Sequence, residues 1–210
     1  MDFLEKLADQ CKKPTGIWGR LLGRLMNLEH RSLRRWGLGL IAVKPTDKVL
    51  DIGCGGGKTL NSLSSLVKKE RLYGIDYSID MVRLSNSVNR TLVKNNRAFF
   101  QCASVTALPF VDDYFDVVTA FETTFFWPDL VNNLKEVNRV IRNNGVLLIV
   151  NDKYKKEEPL TEKDRNWLEI AGIVLYSPEE YDAMLKHAGF HHVTVTCLPE
   201  QNRIAVVAEK

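Results

Sequence analysis

The densest concentration of potential chemistry in this sequence is a carboxylate followed by a run of glycines. Val49-Leu50-Asp51-Ile52 leads directly into Gly53-Cys54-Gly55-Gly56-Gly57-Lys58-Thr59. Glycines allow backbone to approach a ligand closely, and a helix starting just after them aims amide N–H groups at it. Spacing excludes two ligand classes that use such loops. A dinucleotide loop needs Gly-x-Gly-x-x-Gly, and the last position falls on Lys58 when counted from Gly53 and on Leu60 when counted from Gly55. A phosphate loop ends in Gly-Lys-Thr, as here, but its first glycine would stand at Ile52.

Asp76 closes a second apolar run, Tyr73-Gly74-Ile75-Asp76-Tyr77. An acidic side chain at that place can accept hydrogen bonds from both hydroxyls of a ribose. Glu122 follows the apolar run Phe115 to Phe121 and precedes Thr123-Thr124-Phe125-Phe126-Trp127-Pro128. It can accept a proton from a hydroxyl or amine, bind a cation, or simply bond to backbone. Trp127 either lines a pocket or packs on the core. His30 is a second candidate base, since imidazole titrates in the useful range, with a solvated surface histidine as the alternative. Cys11, Cys54, Cys102 and Cys197 form no Cys-x-x-Cys pair, so neither a zinc site nor a disulfide framework is indicated. His191 and His192 adjoin on an expected strand and should point to opposite faces. No metal is expected.

The elements that position these residues alternate. Strands are expected at Val49–Ile52, Arg71–Asp76, Arg97–Cys102, Phe115–Phe121 and Val146–Val150. Between them fall helical stretches at Lys58–Lys68, about Ile79–Leu92 and Asp129–Ile141, the last capped by Asn143-Asn144-Gly145. The strands are apolar on both faces, as in a parallel sheet covered by helices, and the succession predicts a doubly wound α/β fold. Ser177-Pro178 opens a helix ending at Gly189, and His192–Cys197 and Arg203–Ala208 read as an antiparallel hairpin. Residues 1–44 read as helical, with Ile17, Leu21, Leu22, Leu25 and Leu28 at helix spacing, a break at Pro14-Thr15-Gly16, and an end at Lys44-Pro45-Thr46.

Asp51-x-Gly53-x-Gly55-x-Gly57 resembles the first motif of the class I S-adenosylmethionine-dependent methyltransferases. Ser104-Val105-Thr106-Ala107-Leu108-Pro109-Phe110 and Tyr114-Phe115-Asp116-Val117-Val118 resemble the third and fourth motifs of the ubiquinone-biosynthesis-like (type 11) subgroup. The segment Leu134 to Leu147 is similar to the helix and strand that follow them. The resemblance covers about residues 45–152. It implies a seven-stranded, mostly parallel, Rossmann-like methyltransferase sheet with an antiparallel last strand. Residues 1–44 would form an N-terminal helical lid and residues 45–210 the cofactor-binding domain. The implied cofactor is S-adenosylmethionine, released as S-adenosylhomocysteine. The implied cofactor-binding residues are Asp51, Gly53, Cys54, Gly55, Asp76, Tyr77, Met81, Ser104, Val105 and Phe121, and Glu122 and His30 are the catalytic candidates. A carboxylate at the tip of the first strand suits a sulfonium and an ammonium group. Met81 either packs on the adenine or belongs to the core. Where the subgroup usually has Asp, this chain has Ser104, whose oxygen can still accept a bond from the adenine amino group.

Composition bounds the partners. The 210 residues suit one α/β domain, and no apolar run is long enough to span a bilayer. No secretory signal opens the chain, so a cytoplasmic location with reduced thiols is expected. Residues 1–44 hold nine Lys or Arg against four Asp or Glu, and the rest hold twenty against twenty-two. That density is below that of a nucleic-acid-binding domain, and a small-molecule acceptor is the preferred reading. Two alternatives stay open: an RNA or protein methyltransferase that uses the basic N-terminal helix, with Arg20, Arg24, Arg31, Arg34 and Arg35, and a non-catalytic S-adenosylmethionine-binding protein. The oligomeric state is not legible.

Overall fold

The computed structural model describes Ala8, Gln10, Lys12 to Gly16, Gly19 and residues 30–210. Ile17, Leu21, Leu22, Leu25, Leu28, Arg20, Arg24 and Cys11 lie outside the described residues. Seven strands form one sheet: β1 (Val49–Ile52), β2 (Leu72–Asp76), β3 (Ala98–Cys102), β4 (Phe115–Phe121), β5 (Ile141–Asn151), β6 (His191–Leu198) and β7 (Arg203–Glu209), in the order β3-β2-β1-β4-β5-β7-β6. The first five run parallel, and β7 lies antiparallel between β5 and β6. From β1 the chain winds outward through β2 and β3, then returns to β4 on the other side. The strand order therefore reverses between β1 and β4, and their carboxyl ends are where such sheets bind ligands.

Helices cover both faces: α1 (Arg31–Leu38), α2 (Lys58–Leu63), α3 (Ile79–Val88), α4 (Arg90–Lys94), α5 (Leu130–Val140), α6 (Glu162–Ala171) and α7 (Pro178–His187). On one face Leu134 and Val137 of α5 and Tyr181 and Leu185 of α7 pack with Leu50, Val118, Ile149 and Val206. On the other, Leu60 and Leu63 of α2 and Val82 of α3 pack with Val49, Leu72 and Val117. Leu33 of α1 packs with Leu148, Val150 and Ala205. A Cβ at Gly37 would lie 2.5 Å from Val150 Cγ2, so α1 rides close on β5.

Several expected boundaries shift for local reasons. Asn143-Asn144-Gly145 does not cap a helix. α5 ends at Val140, β5 begins at Ile141, and Asn144 takes its positive φ of 60° inside the strand, where the β4–β5 register jumps between Phe115 and Val117. It is a bulge, the other use of a residue that tolerates left-handed backbone. α2 stops at Leu63, where the Ser64 and Ser65 hydroxyls donate to the Asn61 and Ser62 carbonyls and compete for the backbone. The helix expected over Ile79–Leu92 is broken at Asn89, whose side chain donates to the Gly57 and Ser85 carbonyls, both at 3.0 Å. α6 was not expected. Only its Ala171 is buried, so it carries no continuous apolar stripe to announce it. The start of α7 agrees with expectation, with Ser177 and Glu180 forming a reciprocal capping box.

Candidate active site

The glycine loop turns sharply because its backbone is left-handed at Gly53, Gly55 and Gly57. At Gly53 (φ +68°) a Cβ would stand 2.3 Å from Thr123 Oγ1, so the β1 and β4 loops touch backbone to side chain. Left-handed strain of about 1–2 kcal/mol and overpacking of about 1–3 kcal/mol would add at this position. Gly53→Ala is therefore expected to lose about 2–5 kcal/mol of stability in urea unfolding; an unchanged midpoint would show that the loops are free to part. The loop is also bonded from outside. Ser85 Oγ donates to the Gly55 carbonyl at 2.7 Å, and the Cys54 N–H donates to the Ile75 carbonyl at 2.9 Å. Burial raises the Cys54 thiol well above its usual range, which makes it an inert wall.

Asp76 ends β2 facing this loop. Its Oδ2 accepts from the Gly55 N–H at 2.9 Å and its Oδ1 from the Ser78 N–H at 2.8 Å. Burial raises its pKa and these two backbone bonds pull it back. A carboxylate has about four acceptor positions, so two remain for a ligand.

A cavity of about 590 Å³ opens at the switch point. Gly53, Cys54, Gly55, Asp76, Tyr77, Met81, Ser104, Val105, Phe121, Glu122 and His30 all line it. The sequence-expected residues thus converge on one site, with one correction. Asp51 does not reach the wall: it is 1 % exposed, flanked by β2 and β4, and accepts from Thr119 Oγ1 at 2.6 Å. Burial pushes its pKa up to about 7, against the opposing pull of Thr119, Thr59 and the charge of Arg34. It sits behind the loop and is not positioned to meet a cationic ligand directly.

Arg34, grouped from the sequence with the arginines of a basic N-terminal helix that could serve an RNA or protein substrate, is a cavity residue. It is 9 % exposed, lies on the buried side of α1, lines the cavity, and feels the charge of Asp51. Desolvation lowers its pKa. A buried arginine aimed inward adds nothing to a basic outer surface. No local pattern distinguished it from Arg31 and Arg35; only the docking of α1 on β5 does.

The segment after β4 gives the cavity a different character. Phe125, Phe126, Trp127 and Val174 form apolar walls, with the Phe125 and Phe126 rings 4.7 Å apart. Trp127 does both things considered for it: it is 6 % exposed within the core, lines the cavity, and donates from Nε1 to Thr123 Oγ1 at 3.3 Å. Met81 is likewise both buried and lining. Glu122 has a positive φ of 57°, Oε2 is 4.0 Å from His30 Nε2, and Oε1 accepts from the Asp152 N–H at 2.5 Å. Burial and the neighbouring Asp152 carboxyl raise the Glu122 pKa well above the carboxylate range. Asp152 was also missed in the sequence, because its nearness to Glu122 comes from β4 and β5 being neighbours.

Ser104, another lining residue, already accepts at Oγ from the Thr106 N–H at 3.2 Å and Thr106 Oγ1 at 2.9 Å. What it has left to offer is its O–H, a donor. Lys12 and Pro14 line the rim, where the Lys12 carbonyl accepts from the Tyr77 hydroxyl, the Pro14 carbonyl from Ser78 Oγ, and Asp80 Oδ2 from the Gly16 N–H at 2.8 Å. His191 and His192 both lie exposed on β6, away from this site.

Comparison with known proteins agrees with this geometry. The methyltransferase-domain family matches residues 50–149. Over 122 residues the chain is 34 % identical to the uncharacterised methyltransferase YcgJ of Bacillus subtilis, covering 58 % of this chain and 46 % of that protein. It is 28 % identical over 154 residues to the 27-O-demethylrifamycin SV methyltransferase of Amycolatopsis mediterranei, covering 72 % and 56 %. The chain spans about half the length of these two relatives. Its fold matches the crystal structure of an S-adenosylmethionine-dependent methyltransferase from Aquifex aeolicus with a TM-score of 0.72 at 22 % identity, over 90 % of this chain and 97 % of that one. Residues 50–149 thus match the methyltransferase-domain family, and the chain has the fold of the S-adenosylmethionine-dependent methyltransferases.

Proposed function

We propose that this protein binds S-adenosylmethionine and transfers its methyl group to a small-molecule acceptor. One observation carries the reading: the glycine loop, Asp76, Glu122, His30 and the aromatic residues Phe125, Phe126 and Trp127 all line one cavity at the switch point. Its volume lies within the range of about 300–1,000 Å³ typical of small-molecule sites. In this reading Asp76 holds the ribose hydroxyls. Met81 and Val105 flank the adenine, and the Ser104 O–H donates to an adenine ring nitrogen in place of accepting from the amino group. Arg34 takes the methionine carboxylate, steadied by Asp51 beneath it. The methyl group then faces Phe121, Glu122 and His30. Methyl transfer is an in-line displacement at carbon, so alignment and water exclusion supply much of the rate.

Glu122 and His30 are the catalytic residues of this scheme, acting on the acceptor's nucleophilic atom. Residues 1–44 act as a lid over the domain of residues 45–210, which fits the position of Lys12 and Pro14 at the cavity rim. A small acceptor is supported by the enclosing walls and by a relative that methylates a rifamycin. Among the described residues no helix is long and apolar enough to cross a membrane. The free thiols of Cys54, Cys102 and Cys197 fit a reducing, cytoplasmic setting.

Calorimetry tests the cofactor: S-adenosylmethionine and S-adenosylhomocysteine should bind, and NADH and ATP should not. The opposite pattern overturns the reading. Once a metabolite screen yields an acceptor, Glu122→Gln is expected to lower kcat by about 100-fold or more while S-adenosylhomocysteine affinity stays as in the wild type. Unchanged turnover would remove Glu122 from the catalytic set.

A further inference from the structure

We propose that His30, Glu122 and Asp152 form a divalent-metal site at the acceptor end of the cavity. One ligand atom from each of the three side chains lies within 4.8 Å of the others. They come from segments remote in sequence. Glu122 directly follows β4 and Asp152 directly follows β5, and the pairing of Phe121 with Val150 brings the two strand ends together. His30 immediately precedes α1, which Leu33 and Gly37 seat against Val150. The Asp152 N–H fixes one oxygen of Glu122, and the other oxygen faces His30 Nε2 at 4.0 Å. An outer hydrogen bond that orients a ligating carboxylate is a regular part of metal sites. His30 and Glu122 also wall the cavity, which leaves coordination positions open to what binds there.

One imidazole with two carboxylates suits a first-row dication such as Mn²⁺, Fe²⁺ or Zn²⁺ more than a soft, thiolate-seeking one. Such an ion takes oxygen at its open positions, which selects an acceptor class: a hydroxyl or enol that would become a metal ligand. As ligands, Glu122 and His30 would act on that atom through the ion: a coordinated O–H would be more acidic and would lose its proton to water. The oxygen lone pair then displaces sulfur from the methyl carbon, leaving S-adenosylhomocysteine and the methyl ether. The inference rests on the preceding assignment of this end of the cavity to the acceptor, although the ion itself can be sought without an acceptor.

The test uses the full chain, stripped with chelator and titrated with Mn²⁺, following the free-ion signal by electron paramagnetic resonance. The expected result is one saturable site per chain, weakened at least about tenfold by Asp152→Asn and by His30→Ala. Asp152→Asn should bind S-adenosylhomocysteine as the wild type does, which shows that the variant is folded. No saturable Mn²⁺ binding at millimolar concentration, or binding that neither substitution weakens, overturns the site. A chain that takes S-adenosylhomocysteine but not Mn²⁺ loses only the metal inference; one that takes Mn²⁺ but neither S-adenosylmethionine nor its product loses only the cofactor reading.

Discussion

Asp76→Ala is expected to bind S-adenosylhomocysteine at least about 100-fold more weakly than the wild type. Asp76 lies at the end of β2 with two acceptor positions committed to the Gly55 and Ser78 N–H groups. The remaining two are assigned to the ribose hydroxyls. Each bond to a charged acceptor contributes about 1.5–3 kcal/mol, and about 1.4 kcal/mol is a factor of ten in affinity. Losing both ribose bonds therefore costs about 3 kcal/mol at the low end. Releasing the Gly55 N–H loosens the loop and adds to the loss. Adenosine carries the same ribose without the methionine part, so its affinity should fall in parallel. Near-wild-type binding of both ligands would take the ribose away from Asp76.

The second large effect is selective for one part of the ligand. Arg34→Met keeps much of the buried aliphatic volume of α1 and removes the guanidinium. S-adenosylhomocysteine affinity is expected to fall by about 10- to 100-fold, the value of a charge-assisted bond to its carboxylate. Binding of 5′-methylthioadenosine, which has the thioether and nucleoside but no carboxylate, should stay within about twofold of the wild type. The ratio of the two affinities is the readout. Equal losses for both ligands would mean that Arg34 serves only to shape the cavity or hold Asp51. The two variants thus dissect the ligand: the loss at position 76 follows the ribose, and the loss at position 34 follows the carboxylate.

These effects lie at opposite ends of what could be read before the fold was known. Asp76, the glycine loop and the strands that carry them are local features. Each is a short apolar run ending in a charged or turn-forming residue, and the alternation of such runs with helical spacing is enough to order a parallel sheet. Element ends were less legible, since they turned on single side chains. Ser64 and Ser65 stop α2, Asn89 divides α3 from α4, and Asn144 makes a bulge where a helix cap was expected. Asparagine with positive φ serves a cap and a bulge equally well, and only its neighbours decide between them.

The sequence by itself determined the succession of strands and helices, the glycine loop and the place of Asp76 at the end of β2, because those depend on residues close together along the chain. The cavity wall around Glu122 was decided by tertiary structure. Docking of α1 on β5 turns Arg34 inward and sets His30 4.0 Å from Glu122, while β4–β5 pairing brings Asp152 to the same point. Burial of Asp51 between β2 and β4 likewise withdraws from the cavity a carboxylate that the resemblance had implied would bind the cofactor. The physical reason is common to all four: a side chain's partners across a packed interface depend on which elements become neighbours, and no short stretch of sequence records that.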